Sequence, residues 1–423
     1  MLIDFSLKNF KSFKDETVLS AETGERLSRF KETNTLKENN YSLLKNLLIF
    51  GPNGSGKSNL IDALMMMKNM VLDNRTSVTE SFDYLPFQLD TSTKNQDIYF
   101  DIKFNYKLIT FEYAFAFSED AITYETLKTI KNRRETIHFE RKNQIFNVKN
   151  SDLSDIASKT KPNTLFLYNA QQANDQPAID VMQWFKNDLV FVNSRKIPSQ
   201  LINLTKDVQI KNELLQFLKV ADFNITDIKV RNVPDPLLSE RAREILKKTA
   251  PDDYESLTTS QEIYTSHTLY NPIGDVVGEE EFPLSQESRG TQKIFLIALS
   301  IINAQINGNG KTLLFDEFDD SLHFELSNAL IELFNSAENR NQFILTTHEL
   351  QLLDAPLRVD QIYLIEKDFQ GVSSVKSIFD FNDSRKNARR DISFMRNYMQ
   401  GRFGAIPQVD TDKMRTSIGM KTN

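Results

Sequence analysis

Residues 2–10, LIDFSLKNF, alternate apolar and polar side chains, and that period of two predicts a strand with one buried face. NLLIF at 46–50 is apolar throughout, as expected of a short strand covered on both sides. A helix is predicted from about Asn59 to Leu72, and the methionines of ALMMMKNM on it read as core packing. Between 97 and 149 the run DIYFDIKFNYKLITFEYAFAF alternates with many Phe, Tyr and Ile, which predicts antiparallel strands. Residues 200–260 look mostly helical, most clearly in KNELLQFLKVA and SERAREILKKTA, without the sustained heptads of a long coiled coil. Near the end, TLLFDE, QFILTTH and QIYLIEK predict buried strands, with the amphipathic helix FELSNALIELFNSA between the first two. That order predicts an α/β fold with a parallel core sheet, an antiparallel β lobe and a helical insertion. The chain shows no internal repeat and no low-complexity linker.

The chain has 423 residues, enough for a large core and more than one lobe. Its 40% hydrophobic and 26% charged content is that of globular proteins. There is no cysteine, which excludes disulfides, thiolate zinc sites and a cysteine nucleophile. The first residues lack the pattern of a signal peptide, and the apolar run near 294–302 is too short for a bilayer, so a cytoplasmic protein without a membrane role is expected. A net charge of −7 argues against a broadly nucleic-acid-coating surface. From Arg385 onward, however, nine Lys or Arg face three Asp, a basic tail that is either solvated or a docking surface for nucleic acid or an acidic partner.

GPNGSGKS at 51–58 fits the phosphate-loop pattern at Gly51, Gly56, Lys57 and Ser58, and it stands between an apolar strand and a helix as that pattern requires. The loop residues Asn53, Gly54, Ser55 and Gly56, with Asn59 behind them, would cradle the phosphates of ATP. Lys57 would add a point charge, and Ser58 a hydroxyl for Mg²⁺. TLLFDEFDDSLH drives a strand that ends on Asp316, where a carboxylate can face the metal, and Glu317 follows as the candidate general base. A paired-metal nuclease site using Asp319 and Asp320 is the rival reading, disfavoured because the strand-then-Asp-Glu pattern already accounts for the acids. His348 closes the strand of ILTTHE, placed to bond the γ-phosphate or the attacking water. His138, His267 and His323 show no metal spacing. Glu366 and Asp368 end a strand and read as structural. In LSQESRGTQK, Ser288 and Gly290 stand just before an apolar helix, a hydroxyl and a bare backbone at the positive end of a dipole, suited to an anion.

The order of phosphate loop, SQESRGTQ, LLFDE, DDSLH and TTH, with LKNFKSF at the start, resembles the ABC-type ATPase heads of SMC, RecF and OLD proteins. DEFDDSLH, DQIYLIEKD and YMQGRFGAIP are similar to bacterial abortive-infection ATPases of the AbiL and Rlo types. The likeness runs from residue 1 to about 407 and is weakest between 120 and 260. It implies a P-loop NTPase head with residues 1–165 as the N-terminal half and 166–275 as a mainly helical insertion. Residues 276–423 are then the C-terminal half with the signature, the acidic strand and the switch histidine. It also implies that Ser288 and Gly290 meet the ATP of a second subunit, giving a homodimer or larger homo-oligomer glued by nucleotide. Gln88 in LPFQLD is the candidate for the glutamine that links the metal to a lobe. Only about sixty helical residues stand where SMC proteins carry coiled coils, and the 75 residues after His348 are too few for the nuclease domain of OLD enzymes. An effector, nuclease or toxin, would be a separate polypeptide. Two other functions compete with this switch: a DNA-binding repair ATPase like RecF, and a scaffold that binds ATP, hardly hydrolyses it and sequesters a toxin. The intact Glu317 and His348 argue against the last.

Overall fold

The computed structural model describes the chain except for residues 25, 74–76, 78, 133, 193–196, 222, 236–237, 251–252, 382–392, 405–410 and 419–423. Much of the basic tail, including Arg385, Lys386, Arg389, Arg390 and Lys421, lies outside the described residues. The chain forms two compact units, one of Met1–Phe191, Gly310–Asp319 and Ser327–Asn423, the other of Val192–Asn309 with Asp320–Leu326.

In the first unit a six-stranded sheet runs in the order Leu189–Val192, Thr312–Phe315, Gln342–Thr347, Asn46–Phe50, Ile362–Lys367, Ser373–Ser377. The four middle strands are parallel and the last pair antiparallel. NLLIF is buried at every position, which is why it carries no polar alternation: both its faces are covered. Because the middle strands run the same way, Gly51, Asp316 and His348 all follow strand ends at one edge, where open α/β sheets hold their ligands.

The second sheet of this unit is antiparallel, with seven strands ordered Ile145–Val148, Arg134–Lys142, Ile122–Lys131, Ile109–Phe117, Ile98–Tyr106, Leu2–Lys8, Thr17–Ser20. Its alternating aromatic positions form the core, with Phe5, Phe100, Phe104, Phe111 and Phe115 fully buried. Trp184, from the helix Gln176–Asn187, stacks on Phe104 at 3.9 Å between ring centroids. The helix Lys57–Leu72 joins the same core through Leu60, Leu64 and Met67, while Met66 and Met70 rest against it half-buried. Met66, Met67 and Met70 are therefore packing groups.

One ion pair is sealed inside this lobe. Glu125 and Arg141 are both wholly buried, 3.6 Å apart. The carboxylate accepts from Tyr113 Oη at 3.0 Å and from the backbone N–H of Phe166 and Leu167 at 2.7 and 2.9 Å, which satisfies the first turn of the helix Phe166–Gln172. Arg141 donates to the carbonyls of Asn143, Thr164, Lys161 and Pro162. Burial pushes the Glu125 carboxyl up and the Arg141 guanidinium down from their ordinary values, each opposed by the other's charge.

The second unit has a three-stranded antiparallel sheet, Asp227–Pro234, Thr259–Tyr270 and Val276–Pro283, with helices that include Val208–Val220 and Arg289–Ile306. The strand Asp227–Pro234 falls in the stretch read as mostly helical. Its charged residues hide the period of two, and its partner Thr259–Tyr270 supplies the hydrogen bonds. The longest helix among the described residues, Arg289–Ile306, has 18 residues, so no long coiled coil is formed by them. The α/β architecture with a parallel core sheet and an antiparallel lobe is thus the one the periodicities predict. No helix among the described residues is long and apolar enough to cross a membrane.

Candidate functional site

The phosphate loop takes its shape from two glycines in the left-handed region, Gly54 at φ +74° and Gly56 at φ +116°. A Cβ on Gly56 would lie 2.8 Å from Ser12 Oγ, so the position excludes any side chain on space as well as on backbone angle. The loop is braced from behind. Ser373 Oγ donates to the Ser55 carbonyl at 2.5 Å, Ser373 N–H to the Ser12 carbonyl at 2.7 Å, and Asn59 Nδ2 to Ser12 Oγ at 2.8 Å. The front is open: Asn53, Gly54 and Ser58 are exposed, and nothing lies within 4 Å of where a Cβ of Gly54 would stand.

Lys57 begins the helix and is 3% exposed. Its Nζ donates to the Gly51 and Pro52 carbonyls at 2.6 and 3.1 Å and lies 3.4 Å from His348 Nδ1. Burial pushes the ammonium down to about 8, against the pull of Glu317, Asp316 and Asp319. His348 Nε2 in turn stands 3.4 Å from Glu317 Oε1, with both side chains open to solvent at 37% and 51%.

The acidic pair is set by Thr346. Its hydroxyl donates to Asp316 Oδ1 at 2.6 Å and accepts the Glu317 N–H at 2.7 Å, while its carbonyl takes the Phe318 N–H at 3.0 Å. Glu317 sits at φ +49°, a left-handed backbone that a non-glycine residue adopts only when its surroundings hold it. The threonine was visible in the sequence only as part of TTH. Its bridging role depends on the parallel register that puts Phe315 beside Leu345.

Lys57, Asp316, Glu317 and His348 therefore converge at the mouth of the phosphate loop. Gln88 does not join them through any described contact. It is exposed on an irregular segment held by Asn9, whose Oδ1 accepts the Phe87 N–H at 3.1 Å and whose Nδ2 donates to the Thr93 and Gln96 carbonyls.

The residues fit a nucleoside triphosphate with Mg²⁺. Ser55 Oγ is buried in the loop without a partner, the space before Gly54 is free, and Ser58 and Asp316 present exposed oxygens at the same sheet edge. The loop amides and Lys57 would hold the phosphates, Ser58 and Asp316 the metal. Bound Mg²⁺ would supply charge neutralisation at the transferred phosphoryl group.

In the second unit Ser288 is the N-cap of Arg289–Ile306. Its Oγ accepts the Thr291 N–H at 3.1 Å and shares a proton with Thr291 Oγ1 at 2.8 Å. Gly290 occupies the first turn, where a Cβ would meet the Ser321 carbonyl at 2.6 Å. The SRG and DDS motifs are thus in contact, a pairing that their distance in the chain hides.

The chain is similar to several known proteins. A family model described as "AAA domain, putative AbiEii toxin, Type IV TA system" matches residues 47–354, well over half the chain. An ATP/GTP phosphatase of Helicobacter pylori is 23% identical over 376 residues, covering 81% of this chain and 88% of its own. Among solved structures, an Smc head with an extended coiled coil, bound to a ScpA domain derived from Pyrococcus furiosus, is 14% identical at a TM-score of 0.45, covering 92% of this chain and 99% of that one. The SMC head domain from Thermotoga maritima is 16% identical at a TM-score of 0.36, covering 89% and 98%. The phosphate loop, the Asp316 strand and His348 all lie inside the matched span, and the chain belongs to this AAA-domain, AbiEii-type family of ATPases.

Proposed function

We propose that the chain is an ATP-hydrolysing switch that works as a homodimer or higher homo-oligomer. In it, Ser288 and Gly290 of each copy close the nucleotide site of another, and the ATP-bound state governs a separately encoded effector in abortive-infection defence. The observation that carries the hydrolytic part is the convergence of Lys57, Asp316, Glu317 and His348 on one loop. Glu317 takes the proton of the attacking water, His348 steadies that water or the γ-phosphate, and Lys57 holds the charge that develops on the phosphate oxygens, to which Mg²⁺ held by Ser58 and Asp316 would add its own charge. The AbiEii-type description of the family supports the defensive role, and a nuclease or toxin is the class of effector it suggests.

The two-copy site is tested by mixing. Ser288→Arg protein should bind ATP and fail to turn it over, and Lys57→Ala protein should fail to bind. Their mixture contains one composite site with both halves intact and should recover part of the activity. A mixture as dead as its components, with dimers present, would mean that the sites do not work across copies or that both must fire together.

A further inference from the structure

Ser288 is preceded by Glu287, whose side chain is not free to solvent: it reaches across to the strand Thr259–Tyr270. One carboxylate oxygen, Oε1, accepts the Thr265 hydroxyl at 2.5 Å and lies 2.6 Å from His267 Nε2. Thr265 is fully buried, and the His267 and Glu287 side chains are 28% and 13% exposed. The backbone of the same residue is also fixed, since its carbonyl accepts Gln292 Nε2 at 2.8 Å. A second tie from the same strand, Ser285 Oγ to Glu262 Oε1 at 2.8 Å, holds the turn that leads in. The residue before the N-cap is therefore clamped through both its side chain and its main chain, and the direction of Ser288 and the first amides of Arg289–Ile306 follows from that clamp.

We infer that Glu287 is a positioning residue for the hydrolytic reaction, with Thr265 and His267 as its anchors: the strand Thr259–Tyr270 sets the angle at which the Ser288 helix tip is presented to a nucleotide. This rests on the proposal that Ser288 completes a neighbour's site. The role is geometric and not electrostatic, because both anchors use a single oxygen. An amide carbonyl at the same place accepts both bonds, so the charge of Glu287 is dispensable while its length and acceptor are not.

The full-length protein tests this by steady-state ATPase assay and fluorescent ATP-analogue binding. Glu287→Ala should lower kcat about 10- to 100-fold, the cost of a tip displaced by roughly an ångström, with analogue affinity within about twofold of wild type. Glu287→Gln should retain most of the turnover. His267→Ala should lower kcat in the same sense, and the His267→Ala, Glu287→Ala double variant should be no worse than the worse single one, since both break one clamp. Glu287→Ala mixed with Lys57→Ala should regain activity, because the composite site uses the intact tip of the second protein. That arm also shows that the first protein is folded. Turnover of Glu287→Ala equal to wild type while Ser288→Arg is dead would overturn the inference and leave the shared site standing. Failure of Ser288→Arg to affect turnover would instead remove the shared site. Loss in Glu287→Gln as deep as in Glu287→Ala would overturn the geometric role in favour of charge.

Discussion

The first unit holds two clusters of charge that differ in how their hydrogen-bonding capacity is spent. Glu125 and Arg141 lie in the antiparallel lobe with no solvent exposure, and the oxygens and N–H groups of the pair are taken up by Tyr113, two helix amides and four carbonyls. Lys57, Asp316, Glu317 and His348 stand at the sheet edge with longer separations, 3.4 Å from Lys57 to His348 and 3.4 Å from His348 to Glu317. Their carboxylates are exposed to solvent. The first cluster is saturated and defines a structure. The second is held from behind by Thr346 and open in front, which is the arrangement chemistry needs.

Removing a group should therefore have opposite consequences in the two places. The largest effect belongs to Glu317→Gln, which should lower turnover by roughly 10²- to 10⁴-fold while ATP still binds and the melting temperature barely moves. Wild-type turnover in that protein, in a single-turnover assay with labelled ATP, would exclude Glu317 as the base. Next comes Arg141→Met, which strands the Glu125 carboxylate in a dry interior and should cost about 3–5 kcal/mol in denaturant unfolding. A cost below about 1 kcal/mol would mean that water reaches the pair and that the two clusters are not so different.

The smallest effect is a pH dependence at Lys57. Its ammonium titrates near 8 in the free protein, below the ordinary value of 10.5, and bound phosphates favour the charged form. ATP affinity should thus be flat below about pH 8 and fall about tenfold per unit above it, with uptake of a proton on binding. The sign for stability is the reverse. Between about 8 and 10.5 the unfolded chain holds more protons than the folded one, so this lysine's contribution to the stability of the free protein rises with pH across that window. Calorimetric titration at pH 7.5 and 9.5, with Lys57→Met as the flat control in the unfolding series, checks both.

The legible parts of the site were local in the sequence. The spacing of Gly51, Gly56, Lys57 and Ser58, the apolar strand running into Asp316 and Glu317, and a serine before a helical run are each contained within about a dozen residues. What was hidden depends on register. Thr346 becomes a bridge only because two parallel strands align Phe315 with Leu345, and Gly290 is constrained by a carbonyl at Ser321. Glu125 and Arg141 were concealed by the rule that made the lobe readable. In an alternating strand a charged residue is expected to face water, and these two face inward because a partner from the neighbouring strand does too. Gln88 was placed by resemblance alone, without a local pattern to fix it, and no described contact ties it to the loop.

The strand order of the core sheet bears on how this protein is made. Asn46–Phe50 lies between Gln342–Thr347 and Ile362–Lys367, so the segment that ends in the phosphate loop gains its neighbours only after some three hundred further residues have left the ribosome. Until then both edges of NLLIF are unpaired and its faces apolar, a template for mispairing that the emerging chain must keep covered. The nucleotide pocket is consequently among the last features to be completed during synthesis, and a chain stalled before residue 342 lacks both strands that flank Asn46–Phe50 and also lacks His348.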